Sequence, residues 1–349
     1  MLKSSARTFI GVAFALAASA FPSFAQTPEA NRAIFQYRGA DRDQRLVEKA
    51  KQEGTVSVYT SLAPTEGKPL AELFESKYGV KVNMWRGVSD AVLQRTVSEG
   101  RARRHAVDVV ETNGPEMEML AREQLLAEFH SPHIADLPQD AIPKHRMWMP
   151  DRLNFFVVAY NTQKVKREDL PKTYEGFTDP KWKGRIALES TDSEWMAAVV
   201  DSWGEQRGMG FFQKLAATKP EMRKGHVLLA QLIAAGEVEV GLTAYYANVA
   251  SGKSRGGSID WAPVEPLVAR TQGVGIARNA PHPHAALLFA DFLLSPEAQG
   301  LLAQMGRVPV SRSVKTEFTG QRYVVADPAT VVEQNEKWQK VWDKLFLAK

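Results

Sequence analysis

The chain has 349 residues, 44% of them hydrophobic and 24% charged, and its formal net charge is +4. Without the two basic residues near the N-terminus, Lys3 and Arg7, the charge falls to +2, which is too little to indicate a nucleic-acid partner. Cysteine is absent from the sequence, which excludes disulfide bonds, thiolate catalysis and thiolate metal sites.

The first 25 residues have the pattern of a secretory signal peptide. Lys3 and Arg7 precede an apolar run over residues 9–21, and the small residues that end at Ala25 are typical of a cleavage site. The apolar run is about 13 residues long, whereas a helix that crosses a bilayer core needs roughly 20. We therefore predict cleavage after Ala25, export to the periplasm and a soluble mature protein.

Strands and helices alternate from residue 41 onward, after a loose leader over residues 26–40. Gly54, Gly79 and Gly100 each follow a helical pattern at the position where helices commonly end. The predicted elements are helix 41–53, strand 55–59, helix 69–78, strand 80–85, helix 89–99, strand 106–110 and helix 115–122. This alternation predicts an α/β fold with a mainly parallel sheet, covered on both faces, whose ligand site lies beyond the carboxyl ends of the strands.

A second α/β run follows a loop rich in proline and histidine. Its predicted elements are strand 154–160, strand 186–188, helix 228–235, strand 238–243, exposed loop 251–258, strand 274–277 and helix 283–294. The mature length exceeds what one hydrophobic core usually serves, so two lobes are expected. We assign residues 54–150 with 274–320 to lobe one, residues 151–273 to lobe two, and residues 26–53 to a leader and helix.

Large apolar residues recur every four positions in the C-terminal segment 321–349. They are Trp338, Trp342 and Phe346. This spacing places them on one face of a helix, which predicts a helix that packs on the body of the protein. The alternative is a helix that binds a partner.

Six stretches, in order and spread over nearly the whole mature chain, resemble one family. They are 54–61, 179–186, 236–238, the pair Tyr245 and Tyr246, 279–284 and 292–299. The chain resembles the periplasmic solute-binding proteins of ABC importers, extracellular solute-binding family 1, in the branch that contains ferric-iron binders. The resemblance implies a type II two-lobed fold with a ligand cleft between the lobes, a membrane permease as partner, no cofactor and no enzymatic activity. We also expect a monomer.

The tyrosine pair carries the prediction about the ligand. Ferric-binding members hold the metal with two adjacent tyrosines, so the resemblance implies ferric iron as the transported ligand, bound by Tyr245 and Tyr246. Ala63 and Asn113 stand near the positions of the His and Glu of many members, so a companion anion or water is expected to complete the site. Both tyrosines reach one ion only if the chain leaves extended geometry at Ala244; otherwise one ring packs in the core.

Polar residues follow several of the predicted strands. They are Ser61, Thr65, Thr112, Asn113, Ser190 and Thr191. Their side chains and the N–H groups at helix N-termini can cage an anion, and the alternative role is helix capping. Arg86 follows the second strand and can clamp an anion bidentately, or form a surface ion pair. These residues predict a small organic anion, such as a carboxylate or phosphonate, as the alternative to ferric iron.

Other combinations do not complete a site. His130 with His133, and His282 with His284, lie in proline-containing loops without a third ligand nearby in the sequence, so no zinc site is predicted. Asp192 beside a serine suggests a secreted hydrolase, which is the remote alternative. The sequence contains no nucleophile elbow, and we expect no histidine beside Asp192.

Overall fold

The computed structural model describes residues 28–348, so the predicted signal peptide lies outside the described residues. In this part of the chain twelve strands form one sheet. The strands are β1 (Thr55–Thr60), β2 (Lys81–Arg86), β3 (Val109–Asn113), β4 (Leu126–Ala127), β5 (Trp148–Asn161), β6 (Ile186–Glu189), β7 (Glu221–Arg223), β8 (Val240–Tyr245), β9 (Ile259–Ala262), β10 (Val268–Ala277), β11 (Val308–Pro309) and β12 (Val324–Ala326).

Helices cover this sheet on both faces. They are α1 (Pro28–Phe35), α2 (Arg42–Glu53), α3 (Pro64–Tyr78), α4 (Ser89–Arg101), α5 (Gly114–Arg122), α6 (Ser193–Trp203), α7 (Glu205–Ala217), α8 (His226–Ala235), α9 (Tyr246–Ser254), α10 (Pro283–Leu294), α11 (Pro296–Gln304) and α12 (Pro328–Trp342). Within residues 28–348 no single helix is long and apolar enough to cross a membrane; only α10 and α11 taken together pass by length and composition, and they are bent by 56°.

The order of the main strands is β2-β1-β3-β10-β5-β8-β6-β7. β1 pairs in parallel with β2 and β3, and β6 pairs in parallel with β7 and β8. At the centre, β10 runs antiparallel to β3 and β5, and β5 runs antiparallel to β8. The prediction of a mainly parallel sheet is therefore wrong for the centre, where two long strands cross directly between two parallel groups without a helical connection.

The two crossing strands separate distinct hydrophobic cores. β5 contributes Met149 to one core cluster and Leu153 to another. β10 contributes Ala269 to the second of these clusters and Val274 to the first. The residues between these positions are mostly polar, and Arg152 among them is buried. The protein is therefore a two-lobed α/β protein, as predicted, whose lobes are joined through polar crossings; the exact lobe boundaries stay a prediction.

Glycines that follow helices set some helix ends, but not all. Gly54 and Gly79 have φ angles of 76° and 69° and end α2 and α3 as predicted. α3 begins at Pro64 and not at residue 69, and Pro69 lies inside the helix. Pro64 is tolerated at the first helical position because the N–H that proline lacks would have no partner within the helix there. Gly100 lies inside α4, where a Cβ atom would meet Leu125 Cδ2 at 2.5 Å, so it allows close packing and does not end the helix.

Several helices depart from the predicted elements. The leader contains α1, whose Phe35 is fully buried and whose Asn31 donates a hydrogen bond to Ala280 O at 3.0 Å. The predicted loop 251–258 is helical through Ser254, the last residue of α9. α6, α7 and α11 were not among the predicted elements. Contacts with the body of the protein stabilise these helices, and such contacts do not appear in the local pattern.

The C-terminal helix α12 packs on both lobes. Trp342 is fully buried, and its Nε1 donates a hydrogen bond to Ser190 O at 2.9 Å. On the other side, Arg122 of α5 forms an ion pair with Glu333 at 2.8 Å. A π-helical segment, Asp343–Leu347, follows α12 and brings Phe346 against Trp342. The aromatic spacing in the sequence thus corresponds to a helix packed on the body.

Candidate functional site

A polar cavity of ≈ 150 Å³ lies where β5 and β10 cross between the lobes. It is lined by Ser61, Ala63, Glu66, Arg86, Arg152, Leu153, Asn154, Tyr246, Ala247, Gln272, Arg307 and Val308. Both lobes contribute, since the segment after β1 belongs to one core and the start of α9 belongs to the other. Of the predicted binding residues, Ser61 and Tyr246 line this cavity, together with Arg86.

Three arginine side chains reach the cavity and differ in their partners. Arg152 is buried and lies 2.8 Å from the Glu111 carboxylate. Arg307 forms an ion pair with Glu66 of α3. Arg86, at the end of β2, is exposed, and no hydrogen bond or ion pair joins its guanidinium to any of residues 28–348. One guanidinium is therefore left for a ligand.

Two further polar atoms of the cavity residues lack partners. Ser61 Oγ and Arg307 Nε are buried and make no hydrogen bond within the described part of the chain. A buried polar group left unpaired costs about 1–3 kcal/mol, and a ligand oxygen could accept hydrogen bonds from both. Together with the unpaired Arg86, these donors make the cavity suited to an anionic ligand.

Tyr246 begins α9 and lines the same cavity. Its ring packs edge-on against Phe318 and Trp261, with centroid distances of 4.8 and 5.5 Å. Burial, reinforced by the nearby Glu317 carboxylate, raises the pKa of Tyr246 to about 12. The phenol is thus neutral at physiological pH unless a cation approaches it.

Tyr245 ends β8 and lies in a different environment. Its ring stacks on the His226 ring at 3.4 Å and meets Phe156 edge-on at 5.2 Å. Arg270 Nη1 donates a hydrogen bond to Tyr245 Oη at 3.0 Å, and burial raises the pKa of the Tyr245 phenol far above its usual range.

The two tyrosines pack against core clusters that hold alternate residues of β5, and these clusters lie on opposite faces of the sheet. The chain leaves extended geometry at Tyr246, one residue after the strand ends, and not at Ala244. As a result the two rings have different neighbours. Tyr246 lines the cavity, and Tyr245 faces Arg270 and His226.

The predicted polar residues of lobe one also differ in their positions relative to the cavity. Asn113 accepts a hydrogen bond from Gln272 at 2.9 Å and donates one to Ser89 at 2.6 Å, so it supports the cavity wall through Gln272. Thr112 is buried, and its hydroxyl has no partner among the described residues. Thr65 is exposed in the first turn of α3 and does not line the cavity.

Several polar groups of the loop after β6 form hydrogen bonds within the protein. Thr191 donates its backbone N–H and its hydroxyl to Glu189 Oε2, both at 2.6 Å, and the N–H of Gly225 donates to Glu189 Oε1 at 2.8 Å. The backbone N–H of Ser190 is bonded to Arg223 O. The Glu189 carboxylate therefore accepts hydrogen bonds from this loop, a role that the sequence did not indicate.

A histidine lies beside Asp192, contrary to the sequence-based expectation. His226 Nε2 is 3.2 Å from Asp192 Oδ1, and His226 Nδ1 is 3.1 Å from Thr243 O. The hydroxyl of Ser193 lies 3.2 Å from Gln339 Oε1 and is not hydrogen-bonded to the imidazole. Both imidazole nitrogens are thus occupied without a serine, and these residues do not form the triad of a hydrolase.

Arg270 is the central charge of the β10 crossing. It lies 3.4 Å from Glu194 of lobe two, at the start of α6. Burial raises the pKa of Glu194, and the positive charge of Arg270 opposes that shift. Burial also raises the pKa of Glu116, at the start of α5 in lobe one, again against the effect of Arg270. The Arg270 guanidinium therefore interacts electrostatically with carboxyl groups of both lobes.

A two-lobed α/β protein with a polar cavity at the crossing strands has the architecture of a binding protein. Residues 107–327 match the model of a family described as bacterial extracellular solute-binding protein, and this chain belongs to that family. The resemblance noted in the sequence is confirmed.

Three related proteins indicate where in the family the chain lies. Iron uptake protein A1 of Synechocystis sp. is 26% identical over 304 residues, which cover 79% of this chain and 83% of that protein. The Fe(3+)-binding periplasmic protein of Serratia marcescens is 22% identical over 263 residues, covering 72% and 77%. A solved Trichodesmium protein in complex with iron and citrate has the same fold, with a TM-score of 0.72 and 21% identity, covering 84% of this chain and 99% of that one.

Proposed function

We propose that this chain is the periplasmic substrate-binding component of an ABC importer and that it captures ferric iron together with a companion anion. The names of the iron-uptake and ferric-binding relatives support the metal. The companion anion is inferred from the cavity, which is lined by both Tyr246 and the unpaired Arg86. The protein acts as a monomer, catalyses no reaction and delivers its ligand to a membrane permease.

In this proposal Tyr246 supplies the first protein ligand to the metal. Ferric iron favours anionic oxygen, and its charge lowers the pKa of a phenol that it contacts. Arg86, with Ser61 and Arg307, holds the carboxylate oxygens of the companion anion through charge-assisted hydrogen bonds. Tyr245 becomes a second metal ligand if its hydroxyl gives up the hydrogen bond from Arg270 and binds the metal instead.

Ligand capture in this proposal is coupled to closure of the lobes about the crossing strands. Arg86 extends from the end of β2 in lobe one, and Tyr246 begins α9 in lobe two. A ligand that contacts both side chains makes more contacts when the lobes approach, so it shifts the open–closed equilibrium toward the closed form. The closed form is the one that we expect the permease to recognise.

Titration of the apo-protein with ferric citrate tests the proposal. Phenolate bound to ferric iron gives a visible charge-transfer band, which we expect in the parent protein and not in Tyr246→Phe. Arg86→Ala is expected to keep the band but to lower the affinity for ferric citrate about 10- to 100-fold, through loss of charge-assisted hydrogen bonds. Tyr78→Phe, at the end of α3 and away from the cavity, is the matched control.

Two results of that titration would overturn the phenolate site. One is a parent protein without any band. The other is a band that persists when Tyr245→Phe and Tyr246→Phe are combined, because the metal would then lie elsewhere.

A small organic anion without iron is the second candidate, and a specific observation favours it. Ala63, which cannot ligate a metal, lines the cavity, whereas three guanidinium groups reach it. Thermal unfolding in the presence of carboxylates and phosphonates tests this candidate, since a ligand that binds only the folded state raises the melting temperature. A rise with an iron-free anion, combined with no response to ferric citrate, would replace the ferric proposal.

A further inference from the structure

Three side chains with metal-ligating atoms meet in lobe two, outside the cavity described above. Glu189 ends β6, Asp192 immediately precedes α6, and His226 is the first residue of α8. One potential ligand atom from each lies within 4.8 Å of the other two. These residues are supplied by three separate elements, so their approach is a product of the tertiary fold.

The His226 ring is held in the orientation that a metal ligand requires. Its Nδ1 lies 3.1 Å from Thr243 O, and because a carbonyl oxygen can only accept, Nδ1 carries the hydrogen. The ring is also fixed by stacking on Tyr245 at 3.4 Å. Nε2 is thereby directed at Asp192 Oδ1, 3.2 Å away. Metal-ligating histidines are commonly fixed in this way, with the second nitrogen donating to a carbonyl group.

The carboxylates of this cluster are short of positive charge. Asp192 is 3% exposed, and its Oδ2 has no hydrogen-bond partner within residues 28–348. Glu189 is 2% exposed, and the hydrogen bonds to its oxygens come from uncharged groups of Thr191 and Gly225. In the described part of the chain neither carboxylate forms an ion pair with a lysine or an arginine. A divalent cation would balance both and would give Asp192 Oδ2 a partner.

We propose that Glu189, Asp192 and His226 bind a divalent transition-metal cation of the zinc class. The 3.2 Å between His226 Nε2 and Asp192 Oδ1 fits two ligands of one ion, because tetrahedral bonds of about 2.0–2.1 Å separate their donor atoms by about 3.3 Å. Water would fill the fourth position. The ion would join β6 to the starts of α6 and α8, next to the Tyr245 ring that stacks on His226.

Calorimetric titration of the chelator-treated protein with zinc chloride tests this site. The parent protein is expected to bind one zinc ion per chain, and Asp192→Asn and His226→Gln are each expected to lower the affinity about 100-fold. His282→Gln is the matched control, since its Nδ1 also contacts a buried carboxylate, that of Asp108 at 2.9 Å. Its zinc affinity should equal that of the parent.

X-ray absorption at the zinc edge of the parent protein removes the dependence on variants that fail to fold. One imidazole and oxygen ligands are expected around the metal. A parent protein that binds no zinc, a spectrum without imidazole or with two, or parent-like affinity in both variants would overturn the inference. Zinc binding without the ferric charge-transfer band would leave this inference intact and remove the proposed function, so the two are tested separately.

Discussion

Trp342 connects the C-terminal helix to the loop that follows β6. Its side chain is fully buried, its ring lies 4.6 Å from that of Phe346, and its Nε1 donates to Ser190 O at 2.9 Å. Trp342→Ala removes on the order of 200 Å² of buried surface, which is worth about 4–5 kcal/mol at ~25 cal/mol per Å². The carbonyl left without its donor adds roughly 1 kcal/mol. We therefore expect the free energy of unfolding to fall by about 5 kcal/mol.

Trp342→Phe separates the two contributions to this loss. It retains most of the apolar surface and loses the hydrogen bond, so its expected cost is about 1–2 kcal/mol. Urea unfolding followed by far-ultraviolet circular dichroism measures both, and the slope against urea must match that of the parent. Asn335→Ala, on the exposed face of α12, is the control and should change stability by less than about 0.5 kcal/mol. A loss below about 2 kcal/mol in Trp342→Ala would refute the reasoning.

Two further predictions concern stability. Burial raises the pKa of Asp291 to about 6, so its contribution to stability is complete below its unfolded pKa of about 3.9 and is lost as the pH rises through about 6. The stability of the parent relative to Asp291→Asn should thus decrease by about 2 kcal/mol between pH 4 and pH 7 in urea unfolding, and a difference independent of pH would contradict this. At Gly273 an added Cβ would lie 2.4 Å from Trp148 Cε3 and 2.8 Å from Met149 O, so Gly273→Ala should cost about 1–3 kcal/mol. Gly300→Ala, with no atom within 4 Å of its added Cβ, is the control, and an equal response of the two variants in thermal unfolding would count against the packing argument.

Local patterns in the sequence were sufficient for much of the fold. Glycines at positions 54 and 79 have the left-handed geometry that ends a helix, and this requirement depends on a few neighbouring residues alone. The four-residue spacing of Trp338 and Trp342 likewise places both on the buried face of one helix. The family followed from short stretches in a fixed order, and the match over residues 107–327 agrees with it.

The lengths of the crossing strands could not be derived in this way. Strand 154–160 was predicted where β5 covers Trp148–Asn161, and strand 274–277 where β10 covers Val268–Ala277. The missing parts contain Arg152 and Arg270, whose charges interrupt an apolar pattern. They are accommodated within strands because Glu111 and Glu194, which are distant in sequence, supply opposite charges there.

The composition of the site depended still more on tertiary structure. The sequence identified Tyr245 and Tyr246 as candidates, but the different neighbours of their rings follow from the two core clusters that pack on alternate residues of β5. His226 meets Asp192 because β6 and β7 pair in parallel and carry the segments that follow both strands to the same edge of the sheet. The sequence alone thus determined the family, the α/β elements and the tyrosine pair. Only the tertiary structure decided which side chains share a site, because that depends on contacts between residues far apart in the chain.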